Sequence, residues 1–119
     1  MKNFVMGVLS VGVDVFDMGV VPTPVNYFSL FNTPIPHSVQ ITGSHNPSNY
    51  NGFKFSYKKK PFYGESIIEL KNIIKKNNYY QSLKKGKYKK IEVLDDYSSF
   101  ILSHITINKK LKIAMDCGN

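Results

Sequence analysis

Ser44, His45 and Lys54 fall within one short polar stretch, Thr42-Gly43-Ser44-His45-Asn46-Pro47-Ser48-Asn49-Tyr50-Asn51-Gly52-Phe53-Lys54. A serine hydroxyl beside an imidazole and an ammonium is the set a covalent phosphoryl carrier requires. The hydroxyl is the attachment point, and the cations offset the charge of about −1.5 to −2 that it acquires. His45 can donate to an oxyanion or shuttle a proton. Gly43 admits close approach of a ligand or another backbone. Asn46-Pro47 stiffens the loop, and Asn51-Gly52 turns the chain into the next segment. The same residues also make a plain turn whose side chains bond their own backbone, and chemistry alone does not choose between the two readings. Ser44 does not sit in a G-x-S-x-G elbow, and no G-x-x-x-x-G-K-[ST] phosphate loop occurs anywhere.

The elements that must position this loop follow from apolar spacing and turn residues. The apolar run through Phe4, Val5, Val8 and Leu9 superficially resembles a short secretory leader. Asp14 and Asp17 directly after it, and the lack of an A-x-A-like cleavage site, favour the end of a helix, a glycine turn at Gly12 and a strand over 13–18. Pro22 and Pro24 make 19–24 a loop, and 25–31 forms a short helix that Pro34 and Pro36 end. Residues 38–42 read as a buried strand running into the polar loop, and 53–57 as a strand leaving it. The clearest helix is 65–77, with Ile67, Leu70 and Ile74 on one face. Asp95 or Asp96 is expected to cap a further helix presenting Tyr97, Phe100, Ile101 and Ile105. Residues 111–116 read as a last strand. Strands alternating with helices predict an α/β fold with a three-layer α/β/α mixed sheet.

Composition narrows the function classes. The chain has 119 residues and 42% hydrophobic residues, enough for one ordinary domain. A lone cysteine, Cys117, excludes an intrachain disulfide framework and multi-cysteine zinc sites, and is expected as a small buried thiol in a cytoplasmic protein. No apolar run is long enough to span a bilayer. The charge of +8 comes entirely from lysine. The lysine runs at 58–60 and 84–90 are interleaved with tyrosines and permit an alternative class, a nucleic-acid-binding module. The absence of arginine, whose fork suits phosphates, and the abundance of Lys, Asn, Ile and Tyr, which have AT-rich codons, weaken that reading. His37 and His104 have no partner at metal-ligand spacing and read as structural.

The Thr42-Gly43-Ser44-His45-Asn46-Pro47 run followed by Tyr50-Asn51-Gly52-Phe53-Lys54 closely resembles the phosphoserine loop of the α-D-phosphohexomutases. Gly43 and Phe53 make it most similar to the phosphomannomutase/phosphoglucomutase branch. Asp17-Met18-Gly19-Val20-Val21-Pro22-Thr23-Pro24 resembles the family segment ahead of that loop, and Asp116-Cys117-Gly118-Asn119 the opening of its second domain. The resemblance implies that Ser44 is the phosphorylated serine, passing its phosphoryl group to a hexose monophosphate through a hexose 1,6-bisphosphate. It implies that Ser44, through its phosphate, ligates a catalytic Mg2+. It makes His45 and Lys54 the groups at the reacting phosphate or hydroxyl, with Lys54 preferred for proton transfer. A free lysine is a poor base near neutral pH, so this role calls for nearby cations or burial. Thr42, Gly43, Asn46, Pro47, Asn51 and Gly52 would shape the loop.

The resemblance also carries departures. Family members are several times longer, and their Asp-Gly-Asp-Gly-Asp-Arg-like metal loop, sugar-recognition loop and C-terminal phosphate-binding domain have no counterpart here, nor has their first, arginine-bearing strand. The expected organisation is therefore a partial first domain over 1–106 and a truncated start of a second over 107–119. Such a chain is expected to show no mutase turnover by itself, since phosphoryl transfer depends on positioning and charge neutralisation. The missing domains as a separate chain would be its partner. A decayed gene product without independent function is the remaining alternative.

Overall fold

The computed structural model describes residues 1–43, 45–47 and 49–117. Among these described residues the regular elements are, in order, α1 (Lys2–Ser10), β1 (Val15–Asp17), α2 (Thr23–Asn32), β2 (Ser38–Thr42), β3 (Gly52–Tyr57), β4 (Lys60–Phe62), α3 (Glu65–Lys75), β5 (Tyr88–Lys90) and α4 (Leu94–His104).

Local chemistry accounts for most boundaries. Past α1 the chain turns at Gly12, whose φ of +82° is costly for any residue with a Cβ. α2 tolerates Pro24 because its first turn has no intrahelical use for that N–H. It ends where Thr33 becomes extended, with the Thr33 hydroxyl donating to Ser29 C=O at 2.8 Å. Lys58 and Lys59 both take positive φ and form the tight turn between β3 and β4, a conformation more usual for Asn-Gly. The 58–60 lysine run is thus a hairpin, and 88–90 of the other run is strand β5. Neither strand β4 nor β5 was expected from the pattern.

The strands form two ladders that together give the α/β fold its mixed character. β1 and β5 pair in parallel, Val15 opposite Tyr88 and Asp17 opposite Lys90. β2, β3 and β4 pair antiparallel in that order. Helices lie on both faces of the antiparallel ladder. Phe4 of α1 meets Phe53 at 5.7 Å between ring centroids, and on the other face Ser38 of β2 bonds Asn26 of α2 at 2.7 Å. Phe28 of α2 packs against Tyr97 and Phe100 of α4 at 5.4 and 5.3 Å.

Three expectations are corrected. Asp95 and Asp96 do not cap α4. The N-cap is Val93, so both aspartates lie in the first turn, where they favour the helix only through its dipole. Residues 111–116 form no strand: they belong to neither ladder of the described residues, and a strand exists only through its ladder. Cys117 is exposed rather than buried, and it ends a stretch, 102–117, whose residues are all exposed.

The apolar core is small. Val25, Leu30 and Val93 are its buried side chains among the described residues, and α3 buries none, so Ile67 and Ile74 stay exposed. The accessible surface is 10445 Å², against about 6,600 Å² for a compact monomer of this mass. The radius of gyration is 17.8 Å, against about 13–14 Å for a compact chain of this length.

Candidate active site

The polar loop is a hairpin connection whose base is fixed by register. Thr42, the last residue of β2, stands opposite Gly52, the first of β3. A Cβ on Gly52 would lie 2.7 Å from Thr42 O, so glycine is required where the strands meet. Gly43 faces no such demand, since a Cβ there would sit 3.6 Å from Tyr50 O, an ordinary contact. Within the loop, Asn46 N–H donates to Gly43 C=O at 3.0 Å and Tyr50 N–H to Pro47 C=O at 2.9 Å. These two bonds draw Asn46 back to Gly43 and Tyr50 back to Pro47. Ser44, the residue expected to carry the phosphoryl group, and Ser48 lie outside the described residues. His45, Asn46, Pro47 and Asn51 are exposed.

Strand alternation places Lys54. Cross-strand partners share a face, so Thr42 with Gly52, Gln40 with Lys54 and Ser38 with Ser56 lie on one side of the ladder. Lys54 is exposed there, two residues from the base of the loop. Gln40 donates from Nε2 to Val21 C=O at 3.4 Å, which ties this face to the loop that begins at Gly19. Deeper on the same face, the Ser38 hydroxyl donates to Asn26 Oδ1 at 2.7 Å, Asn26 being buried and Ser38 half-buried.

The segment ahead of the loop is organised by Asp17. Its Oδ1 accepts from Gly19 N–H at 2.8 Å and its Oδ2 from the Tyr88 hydroxyl at 2.5 Å. The Tyr88 hydroxyl and then the Gly19 amide hold the Asp17 carboxyl below the usual carboxylate value, against an opposing effect of burial that outweighs the weaker help of the nearby Lys90 ammonium. The same bond pushes the Tyr88 phenol above its ordinary value. Pattern reading missed Tyr88 and Gln40. The amide within the apolar run Ser38-Val39-Gln40-Ile41 was the one available signal.

Among the described residues no three His, Cys, Asp or Glu side chains come together as a metal site. His37 accepts from Lys58 N–H at 3.1 Å and stacks on Tyr57 at 4.7 Å. The Nδ1 atom of His104 lies 2.8 Å from Phe100 C=O. Both imidazoles have structural uses.

An α/β layout with a strand–loop–strand of this kind is what comparison with known proteins returns. The family domain described as phosphoglucomutase/phosphomannomutase, alpha/beta/alpha domain I, matches residues 1–81. A phosphomannomutase/phosphoglucomutase of Pseudomonas putida is 37% identical over 118 residues, covering 99% of this chain and 25% of that protein. A phosphoglucomutase of Neisseria meningitidis serogroup A is 36% identical over 119 residues, covering 100% of this chain and 26% of its own length. A solved structure of a phosphoglucomutase/phosphomannomutase family protein from Burkholderia thailandensis superposes with a TM-score of 0.81 at 33% identity, over 91% of this chain and 25% of that one. The chain belongs to the phosphoglucomutase/phosphomannomutase family. It spans about a quarter of the length of the relatives it matches.

Proposed function

We propose that the chain contributes the phosphoserine loop of a hexose-phosphate mutase, with Ser44 as the phosphoryl carrier. The observation that carries this reading is the hairpin loop over 43–51, pinned by the Thr42–Gly52 register, in a chain that belongs to this family. In the forward half-reaction the Ser44–O–P bond breaks as a hydroxyl of a hexose monophosphate bonds the phosphorus. The proton of that hydroxyl passes to Lys54, with His45 the second candidate. In the return half the other phosphoryl group of the bisphosphate moves to Ser44 Oγ, and the proton goes back to the departing sugar oxygen. Glucose and mannose phosphates are the proposed substrates, in carbohydrate metabolism.

The proposed organisation keeps 1–106 as part of a first domain and 107–119 as the start of a second. The end of α4 at His104 and the exposed, irregular course of 105–117 support it. Without further carboxylates to neutralise the transferring group, the isolated chain is proposed to be inactive.

The test is a chimera in which this chain replaces the matched quarter of the Pseudomonas putida relative. Mutase turnover is expected, abolished by Ser44→Ala, with kcat cut by Lys54→Met more than by His45→Gln. Full activity in Ser44→Ala overturns the reading. Turnover by the isolated chain in a coupled assay overturns the proposed inactivity.

A further inference from the structure

Gln40 and Lys54 stand directly opposite each other in the β2–β3 ladder. Side chains of such a pair leave one face with Cβ atoms about 4.5–5.5 Å apart, so a glutamine and a lysine there are within each other's reach. Gln40 is half-buried and Lys54 exposed, which makes the amide the more confined of the two. Gln40 is also held from its far side, where its Nε2 donates to Val21 C=O at 3.4 Å. A carbonyl oxygen only accepts, and this settles the orientation of the carboxamide: its nitrogen is engaged by Val21, and its oxygen is the group left for another donor. The segment that carries Val21 is a firm support. Asp17 Oδ1 accepts from Gly19 N–H at 2.8 Å, Gly19 takes a φ of +72°, and Pro22 follows as the N-cap of α2. A carboxylate-bound turn and a proline within four residues leave this stretch few conformations.

We propose that Gln40 is a positioning residue for Lys54, its Oε1 accepting a hydrogen bond from the Lys54 amino group. This deepens the function proposed above and rests on the role given there to Lys54. An exposed lysine on a flexible four-carbon stem samples many rotamers, and a partner that is itself fixed narrows them. The amide also suits the chemistry on both sides of the transfer. In the forward half-reaction the Lys54 amine takes the proton of the sugar hydroxyl and becomes an ammonium, and in the return half the ammonium gives that proton to the departing sugar oxygen. The amine has two N–H groups and the ammonium three, so Oε1 keeps a donor in either state. A carboxylate in this place would favour the ammonium and oppose its return to the amine, whereas a neutral oxygen takes no side. The support runs from Asp17 through Gly19 and Val21 to Gln40, and from there across the ladder to Lys54.

The test uses the chimera with the Pseudomonas putida relative. Gln40→Met keeps the length of the side chain and removes both of its hydrogen-bonding groups. It is expected to lower kcat about tenfold while KM changes by less than about twofold, since Gln40 acts through Lys54 and not on the substrate. In a Lys54→Met background the same substitution is expected to change kcat by less than about twofold, because nothing remains to position. A purely structural role would slow both backgrounds alike. In the unsubstituted 119-residue chain, the side-chain amide protons of Gln40 are expected to show nuclear Overhauser contacts to the ε-methylene of Lys54, which keeps the test intact if Gln40→Met fails to fold. Equal slowing in both backgrounds, an unchanged kcat in Gln40→Met, or no contact between the two side chains overturns the proposal. Full kcat in Lys54→Met overturns the role of Lys54 and this inference with it. A slow Lys54→Met beside an unimpaired Gln40→Met overturns this inference alone.

Discussion

The Tyr88 hydroxyl donates to Asp17 Oδ2 at 2.5 Å, across 71 positions of sequence, and the other oxygen of the same carboxylate holds Gly19 N–H. One carboxylate therefore fastens β5 to β1 and sets the turn that leads toward Val21 and the Gln40 contact. Because the folded Asp17 pKa lies below its ordinary 3.8, its stabilising contribution is present above that value and is lost as pH falls through the folded pKa. Because the folded Tyr88 pKa lies above 10.0, its contribution is present below pH 10.0 and is lost as pH rises through the raised value. Melting temperature against pH should show both limbs. Asp17→Asn should flatten the acid limb, and Tyr88→Phe should remove the alkaline limb and shrink the acid one. A Tyr88→Phe curve that overlays the parent at every pH would sink this account.

Gly52→Ala should cost roughly 1–3 kcal/mol, since the new methyl meets the Thr42 carbonyl at 2.7 Å and the hairpin base must open. Gly43→Ala should stay within about 1 kcal/mol of the parent, the nearest atom being at 3.6 Å. Urea denaturation of the two variants side by side checks the contrast. Loss of turnover in a Gly43→Ala chimera would then report on the chemistry of the loop rather than its stability.

Asn26→Ala should cost about 1–3 kcal/mol by leaving the Ser38 hydroxyl without the acceptor it has at 2.7 Å. Adding Ser38→Ala to that variant should cost much less than Ser38→Ala alone. A double-mutant cycle reads the coupling, and strict additivity would show that the bond ties α2 to β2 only nominally.

Leu30→Ala should cost about 2–5 kcal/mol, as Leu30 is 2% exposed in a core with few other buried apolar side chains. With so small a reserve, the variant is expected to lose its cooperative urea transition, while Ile68→Ala on exposed α3 leaves it in place.

The elements around the loop were legible because local signals bound them. Pro36 and Gly43 bracket the apolar residues of β2, the aromatic alternation at Phe53 and Phe55 marks β3, and Ile spacing marks α3. β4 was hidden because Lys58 and Lys59 occupy positive-φ positions that lysine rarely takes. β5 was hidden because its partner is far away in sequence and its composition reads as a solvated charge run. Residues 111–116 carry a strand pattern through Leu111, Ile113 and Met115, but pattern alone cannot provide a neighbour. The role proposed for Ser44 rests on resemblance to a family motif. The tie from Gln40 to Val21 and the double use of Asp17 depend on three-dimensional proximity that spacing does not encode.

The distance in sequence between β1 and β5 also bears on the order in which the chain folds. Asp14 accepts from Lys87 N–H across 73 positions, whereas the β2–β3 hairpin closes only the short loop over 43–51. Loop-closure entropy grows with length, so the hairpin forms early and the parallel pair late. The loop over 43–51 thus belongs to the early, local folding unit, and the Asp17–Gly19 turn to the late one. During synthesis, the hairpin can assemble before Lys87 has been added, while β1 waits for almost the whole chain.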